Sequence, residues 1–212
     1  MEGIMVKKRV LLCGKIKNEK QYSVRLLGIV ILAIILGIAQ KMLDTTPVNY
    51  LPDLFEKIQF SNHLGQLNAW VAIITVLVVL SKNTKRAAIN TFVFLFFMLS
   101  SYYLYSYFVL GFFSYYEICK WLLACVTSIP FSIILKYSRN KSTMTFIVNV
   151  IIISFLFESA LLFLNYHRIK NFLDFIFFII GVLALYSKSK IYVGSILVSV
   201  AISSFYFYFA YY

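Results

Sequence analysis

Long apolar stretches alternate with short polar ones along most of the chain. An α-helix needs about 20 residues, with a range of roughly 17–25, to cross a hydrocarbon core. Seven stretches have this character: 24–40, 65–81, 87–109, 118–136, 143–164, 171–186 and 191–211. The pattern predicts an all-α polytopic transmembrane helix bundle of about seven spans, built as a single domain over residues 23–212. Six spans is the alternative, because Lys120 and Asp174 lie close inside the ends of two stretches.

The composition agrees with a membrane location, and the charges give the chain an orientation. Hydrophobic residues make up 61% and charged residues 13%, whereas soluble domains have about 45–50% and about 25%. Fifteen basic residues fall on one side of the predicted bundle: Lys7, Lys8, Arg9, Lys15, Lys17, Lys20, Arg25, Lys82, Lys85, Arg86, Lys136, Arg139, Lys141, Lys188 and Lys190. By the positive-inside rule that side is cytoplasmic. The N-terminus, with a basic tail over residues 1–22, is therefore predicted to be cytoplasmic.

The formal net charge of +12 would raise the question of nucleic acid in a soluble protein. Here the positions of the charges mark sidedness, so the predicted partner is the lipid bilayer and not nucleic acid. Basic residues of the tail also suit anionic lipid headgroups, at about 1 kcal/mol for each side chain near the surface.

Tyrosines crowd the outer part of the third apolar stretch, where residues 90–108 read NTFVFLFFMLSSYYLYSYF. Over the whole chain, twelve tyrosines lie toward the predicted outer side and four toward the inner side. Aromatic belts are expected at both membrane surfaces, but they do not explain this imbalance. Two explanations stay open. One is an outward vestibule in which Tyr102 and Tyr103 contact a ligand, and the other is a thickened outer belt of anchors.

Glu158 is the strongest single candidate for function. A carboxylate at the centre of a membrane helix costs roughly 2.5–3.5 kcal/mol and usually faces the protein interior or a cavity. Ser154 and Asn165 share its helical face, which makes a polar stripe that opens outward. Three basic residues are possible partners for it: Lys120, Arg168 and Lys170. The stripe is either a ligand or ion pathway or a structural pairing between helices, and Asp174 is a second acidic candidate.

Small residues form stripes in the two terminal stretches. Ser195, Ser199 and Ser203 recur every four residues in the seventh stretch, and Ala33 and Gly37 do so in the first. Such spacing lets helices approach closely. The stripes predict helix contacts, either within the bundle or with a membrane protein partner.

No catalytic or metal-binding pattern stands out in the sequence. His63 and His167 have no metal-ligand spacing, and Cys13, Cys119 and Cys125 fall at three different levels of the predicted bundle. Motifs of zinc hydrolases, serine hydrolases and phosphate-binding loops are absent from the sequence. We therefore expect no enzymatic activity, no metal and no cofactor.

The segment LGQLNAW and the run SKNTKRAAINTFVFLFFMLSSYYLYSYF, followed by Gly111, Phe112 and Phe113, resemble a known family. They are similar to the core of small bacterial multi-pass membrane proteins named domain of unknown function 6518. The similarity covers roughly residues 65–136. It implies a location in the bacterial cytoplasmic membrane and supplies no catalytic residues.

These features favour a small-molecule binding or transport-associated membrane subunit. The outer tyrosines and the Glu158 stripe would form its ligand site, with the ligand itself unspecified. The alternative is a non-transporting accessory, immunity or envelope protein that acts through protein or lipid contacts.

Overall fold

The computed structural model of the chain describes residues 2–46, 66–112, 114–166, 172–187 and 189–211. Every regular element within these ranges is helical. The α-helices in them are α1 (Glu2–Thr45), α2 (Leu67–Leu80), α3 (Thr84–Tyr105), α4 (Tyr115–Ser138), α5 (Ser142–Tyr166), α6 (Phe172–Ala184) and α7 (Ser189–Tyr211). A π-helical turn over Ser106–Leu110 continues α3.

Each predicted apolar stretch forms a helix, so the prediction of an all-α bundle is confirmed. Three helical ranges are long and apolar enough to cross a membrane: Glu19–Thr45, Thr84–Leu110 and Tyr115–Ser138. Four other apolar helical ranges among the described residues are shorter: Leu67–Leu80, Ser142–Glu158, Phe172–Ala184 and Lys190–Tyr206. Within the described residues, helix length thus supports a membrane bundle with three helices long enough to cross.

The basic tail and the first apolar stretch belong to one helix. α1 has 44 residues, which makes it about 66 Å long at about 1.5 Å per residue. This is about twice the thickness of a hydrocarbon core of about 30 Å. The helix continues through the charged segment because no proline occurs before Pro47. The first part of α1 therefore extends beyond any membrane that its apolar part crosses.

α2 is the centre of the bundle and packs on α3, α4, α5 and α6. Ala69 and Ala72 are fully buried, and their small side chains let neighbouring helices come close. Phe94, Leu95 and Met98 of α3 are buried in the same core. With 14 residues, α2 is only about 21 Å long. Because it is shorter than α3, α4 and α5, it leaves room at both of its ends.

α1 lies at the periphery and packs chiefly on α3. Ala33 and Gly37 are both buried in this contact. A Cβ atom on Gly37 would overlap the carbonyl oxygen of Met98 and the hydroxyl of Ser101. The first small-residue stripe therefore brings the backbones of α1 and α3 into direct contact.

α7 packs chiefly on α5, through the serine stripe. Ser195, Ser199 and Ser203 are at most 3% exposed. The Ser199 hydroxyl donates to the carbonyl of Val150 at 3.1 Å, and the Ser203 hydroxyl donates to the carbonyl of Ser154 at 2.9 Å. The serine stripe thus lies at a helix contact inside the chain.

Contacts between helix ends fall into two groups, one on each predicted side of the membrane. On the predicted cytoplasmic side, Arg86 at the start of α3 pairs with Glu19 of α1 at 2.8 Å. On the other side, Trp70 at the start of α2 stacks on Trp121 near the start of α4. The same division is expected when successive helices run in alternating directions.

Candidate functional site

Four helix ends on the predicted outer side enclose a cavity of about 390 Å³, which we call the outer cavity. Its walls are the end of α1, the beginning of α2, the end of α3 with its π-helical turn, and the beginning of α4. The principal lining residues are Lys41, Asp44, Trp70, Tyr102 and Trp121. The volume lies within the range of about 300–1,000 Å³ that is common for small-molecule sites.

Aromatic rings form much of the lining. Trp70 and Trp121 are stacked, with ring centroids 4.7 Å apart and planes inclined by 26°. Tyr102 and Tyr103 meet edge to face at 5.1 Å. Such pairs contribute roughly 0.5–1.5 kcal/mol beyond the area they bury. The cavity therefore has firmly packed, flat apolar walls.

A short chain of polar groups crosses the wall between α1 and α3. Lys41 Nζ donates to the Tyr102 hydroxyl over 3.4 Å, and this hydroxyl donates to Asp44 Oδ2 over 2.8 Å. Lys41 Nζ also lies 4.8 Å from the centroid of the Tyr102 ring. Hydrogen bonds to charged groups are stronger than those between neutral groups. The phenol is thus held in one orientation at the edge of the cavity.

Glu117 supplies a second carboxylate, on the α4 wall. The Ser114 hydroxyl caps α4 by accepting from the Glu117 backbone N–H over 3.4 Å. This cap places Glu117 in the first turn, where the helix dipole favours a negative charge. Its carboxylate pairs with Lys120 at 2.6 Å. Because both side chains are about half exposed, the pair adds little to stability, but it sets the charge of this wall.

The α3 wall ends in irregular backbone. The π-helical turn that begins at Ser106 is of a kind often found at functional sites. Gly111 follows with a φ of 73°, a conformation that glycine adopts without strain. The Ser106 hydroxyl then donates to the Phe112 carbonyl at 2.9 Å. This contact holds both Ser106 and Phe112 in the lining of the cavity.

Two of the predicted ligand-contacting residues line the outer cavity, and the others that are described lie elsewhere. Tyr102 and Tyr103 are in the lining. The Ser154 hydroxyl faces α7 and lies 3.5 Å from the carbonyl of Ser199. Glu158 is half-buried on α5, outside the lining, and forms no hydrogen bond or ion pair with the residues that the structure describes.

The basic residues considered as partners of Glu158 divide into two groups. Lys120 pairs with Glu117. Arg168 and Lys170 lie outside the described residues, as do the Asn165 side chain and both histidines. Among the described residues, no group of three or more His, Cys, Asp or Glu side chains could hold a metal ion.

Asp174 is buried between α2 and α6. It is 4% exposed and accepts a hydrogen bond from Asn68 Nδ2 at 2.5 Å. The other amide atom of Asn68, Oδ1, accepts from the Ala69 backbone N–H at 2.9 Å. A buried carboxylate needs such hydrogen bonds to offset the loss of water. Asp174 therefore joins two helices and does not line the outer cavity.

Lys41 and Asp44 are site residues that the sequence analysis missed. They follow the first apolar stretch, where polar residues are expected at any membrane surface. Their spacing of three places them on one face of α1. Trp70 and Trp121 both begin predicted spans from the outer side. Their position, together with this spacing, was the sequence signal that could have indicated the cavity.

No protein-family model matches the chain, and no curated protein and no solved structure matches it significantly. The resemblance to domain of unknown function 6518 stays a prediction. The fold defines an α-helical membrane protein with an aromatic-lined cavity between its helix ends.

Proposed function

We propose that the chain is a small-molecule-binding membrane protein, associated with transport and without catalytic activity, whose binding site is the outer cavity. One observation carries this proposal. Two stacked tryptophans, two tyrosines and the polar chain of Lys41, Tyr102 and Asp44 converge on a single cavity of about 390 Å³. Mostly apolar walls with a few oriented polar groups are typical of sites for organic ligands.

The lining favours a planar ligand with an apolar ring system and a polar edge. The indole rings of Trp70 and Trp121 offer surfaces for stacking. Asp44 and Glu117 place two carboxylates in the lining. Each is matched by a lysine, since Lys41 joins Asp44 through the Tyr102 hydroxyl and Lys120 pairs with Glu117. The aromatic faces, which attract cations, therefore favour a neutral or cationic ligand over an anionic one.

We further propose the seven-span topology, with a cytoplasmic N-terminus and the outer cavity open to the outside of a bacterial cytoplasmic membrane. The grouping of helix ends supports it, because ends that the basic residues assign to one side contact one another. The short helices α2 and α6, with 14 and 13 residues, reach about 20 Å at about 1.5 Å per residue. A hydrocarbon core is about 30 Å thick, so longer neighbouring helices extend past the ends of α2 and α6. The outer cavity lies beyond one end of α2.

Purification of the full chain from its native membrane in mild detergent tests the proposed function. Mass spectrometry of the retained small molecules is expected to find one enriched organic compound in the wild type. The variant Tyr102→Phe removes the hydroxyl that orients Lys41 and Asp44 in the lining. If the ligand loses one hydrogen bond to a charged group as a result, which contributes about 1.5–3 kcal/mol, the variant is expected to retain at least about tenfold less of it. Tyr105→Phe is the matched control, since Tyr105 is on the same helix and outside the cavity lining.

Tryptophan emission reports directly on the same site. Trp70 and Trp121 are the only tryptophans of the chain, and both line the cavity. Returning the retained compound to stripped protein is expected to change the emission. Unchanged emission, or equal loss of the compound in both tyrosine variants, would contradict binding in the outer cavity. Recovery of no enriched compound from the wild type would contradict the proposal itself.

The alternative function is to act through protein or lipid contacts alone. One surface proposed for such contacts was the serine stripe of α7. Ser195, Ser199 and Ser203 are buried against α5, so they are not presented to a partner. Recovery of a membrane protein partner without any small molecule would favour this alternative.

A further inference from the structure

A second cavity lies at the opposite end of α2, on the predicted cytoplasmic side. It has a volume of about 660 Å³ and opens between α1, the end of α2 and the beginning of α3. We call it the inner groove. Basic side chains form its rim: Arg25, Lys82 and Arg86. Apolar side chains line the remainder of the groove: Ile29, Leu32, Leu77 and Leu80.

We propose that the inner groove binds one anionic phospholipid, with the phosphate at the basic rim and an acyl chain along the apolar part. A phospholipid joins a charged headgroup to an apolar chain, and the groove likewise joins a basic rim to an apolar lining. Basic pockets between membrane helices on the cytoplasmic side are known to bind phosphorylated headgroups.

The rim is held in place by a network across three helices. The Arg86 guanidinium pairs with Glu19 at 2.8 Å and lies 4.2 Å from the centroid of the Tyr22 ring. The Tyr22 hydroxyl donates to Asn90 Oδ1 at 3.1 Å, and Asn90 Nδ2 donates to the Ser81 hydroxyl at 3.0 Å. Because these contacts fix Arg86, a headgroup would meet a preformed donor and not a mobile side chain.

Arg25 and Lys82 supply the positive charge that selects an anionic headgroup. Both are exposed at the rim, and Arg25 forms no hydrogen bond or ion pair with the described side chains. Glu19 pairs with Arg86, the third basic residue of the rim. A zwitterionic headgroup carries its own cation, which this rim would repel, so the groove prefers a lipid with a net negative charge.

The apolar part of the groove has exposed side chains and free space that an acyl chain could occupy. Leu32 is 50% exposed and Leu80 is 75% exposed. Gly28 also lines the groove, and a Cβ atom built on it would meet nothing within 4 Å. The groove is therefore empty of protein beside Gly28, and a larger side chain there would fill it.

Native mass spectrometry of the delipidated full chain tests the proposal. Phosphatidylglycerol is expected to bind more tightly than phosphatidylcholine with the same acyl chains. The double variant Arg25→Gln with Lys82→Gln is expected to bind phosphatidylglycerol about 25-fold more weakly, which is about fivefold for each basic side chain. Lys20→Gln with Lys85→Gln is the matched control, because it removes the same charge from exposed residues outside the groove.

Gly28→Leu gives an independent test, since it fills the groove and leaves every charge in place. It is expected to reduce phosphatidylglycerol binding at least tenfold, and tryptophan emission from the opposite end of the bundle checks that the variant folds. Equal binding of the two lipids would overturn the proposal, as would equal losses in the two double variants. Wild-type binding by Gly28→Leu would overturn it too. Full displacement by glycerol 3-phosphate would assign the rim to a free phosphate ester and not to a lipid.

Discussion

The contact between α1 and α3 at Gly37 gives a quantitative prediction. Replacing Gly37 with alanine adds one methyl group where the Met98 carbonyl oxygen and the Ser101 hydroxyl already lie. The carbonyl is fixed in the backbone of α3, and the hydroxyl is already engaged because it donates to that carbonyl at 2.9 Å. The carbonyl cannot turn away, so α1 must move outward.

A glycine on the same helix provides the reference for the magnitude. In Gly28→Ala the added methyl group meets nothing within 4 Å. Alanine is about 1 kcal/mol more favourable than glycine in a helix interior, and this gain is common to both variants. The difference between them therefore isolates the overlap at Gly37. Overpacking of this kind costs typically about 1–3 kcal/mol, so Gly37→Ala is expected to be less stable than Gly28→Ala by about that amount.

Reversible unfolding of the two variants in the same detergent measures this difference. Helical circular dichroism and tryptophan emission should both report it, and the free energy of unfolding is compared between variants and not with an absolute value. If Gly37→Ala were as stable as Gly28→Ala, the backbones of α1 and α3 would not be in contact at Gly37. The described packing of α1 would then be wrong.

Three further predictions concern residues of α5, α6 and α7, which do not line the outer cavity. Asp174→Ala is expected to lower the free energy of unfolding by about 1–3 kcal/mol, because the Asn68 amide loses a buried acceptor; Asp174→Asn, measured in the same way, should lose less. Ser203→Ala removes the hydrogen bond to the Ser154 carbonyl and is expected to cost about 0.6 kcal/mol, so a loss above about 2 kcal/mol would show an additional role. Glu158→Gln is expected to retain the co-purifying small molecule within about twofold of the wild type, whereas its loss in mass spectrometry would move the ligand site to α5.

The helices could be predicted from the sequence because each depends on a local property. An apolar run of about 20 residues has few alternatives to a helix in a membrane, since its backbone groups must bond within the segment. The serine stripe was equally accessible, because a spacing of four residues places small side chains on one face of a helix. The sequence did not show which helix this face contacts, because that depends on the packing of α7 on α5.

The site was only partly predictable because it is made by long-range contacts. Tyr102 and Tyr103 were selected from their depth and density in the sequence, and both line the outer cavity. The polar chain, however, joins Tyr102 to side chains 58 and 61 positions away. Whether Asp44 faces α3 or lipid depends on the rotation of α1, which the contact at Gly37 determines. The sequence alone contains no measure of that rotation.

α1 lines both the outer cavity and the inner groove, so one helix connects the two binding sites. Arg25 and Lys41 are separated by about 24 Å along one uninterrupted helix, at about 1.5 Å per residue. A ligand in the outer cavity that displaces α1 would alter the affinity of the inner groove for its lipid. Thermodynamic linkage requires the reverse effect to have the same magnitude. The anionic lipid content of the membrane would then act as an effector of ligand affinity on the opposite face.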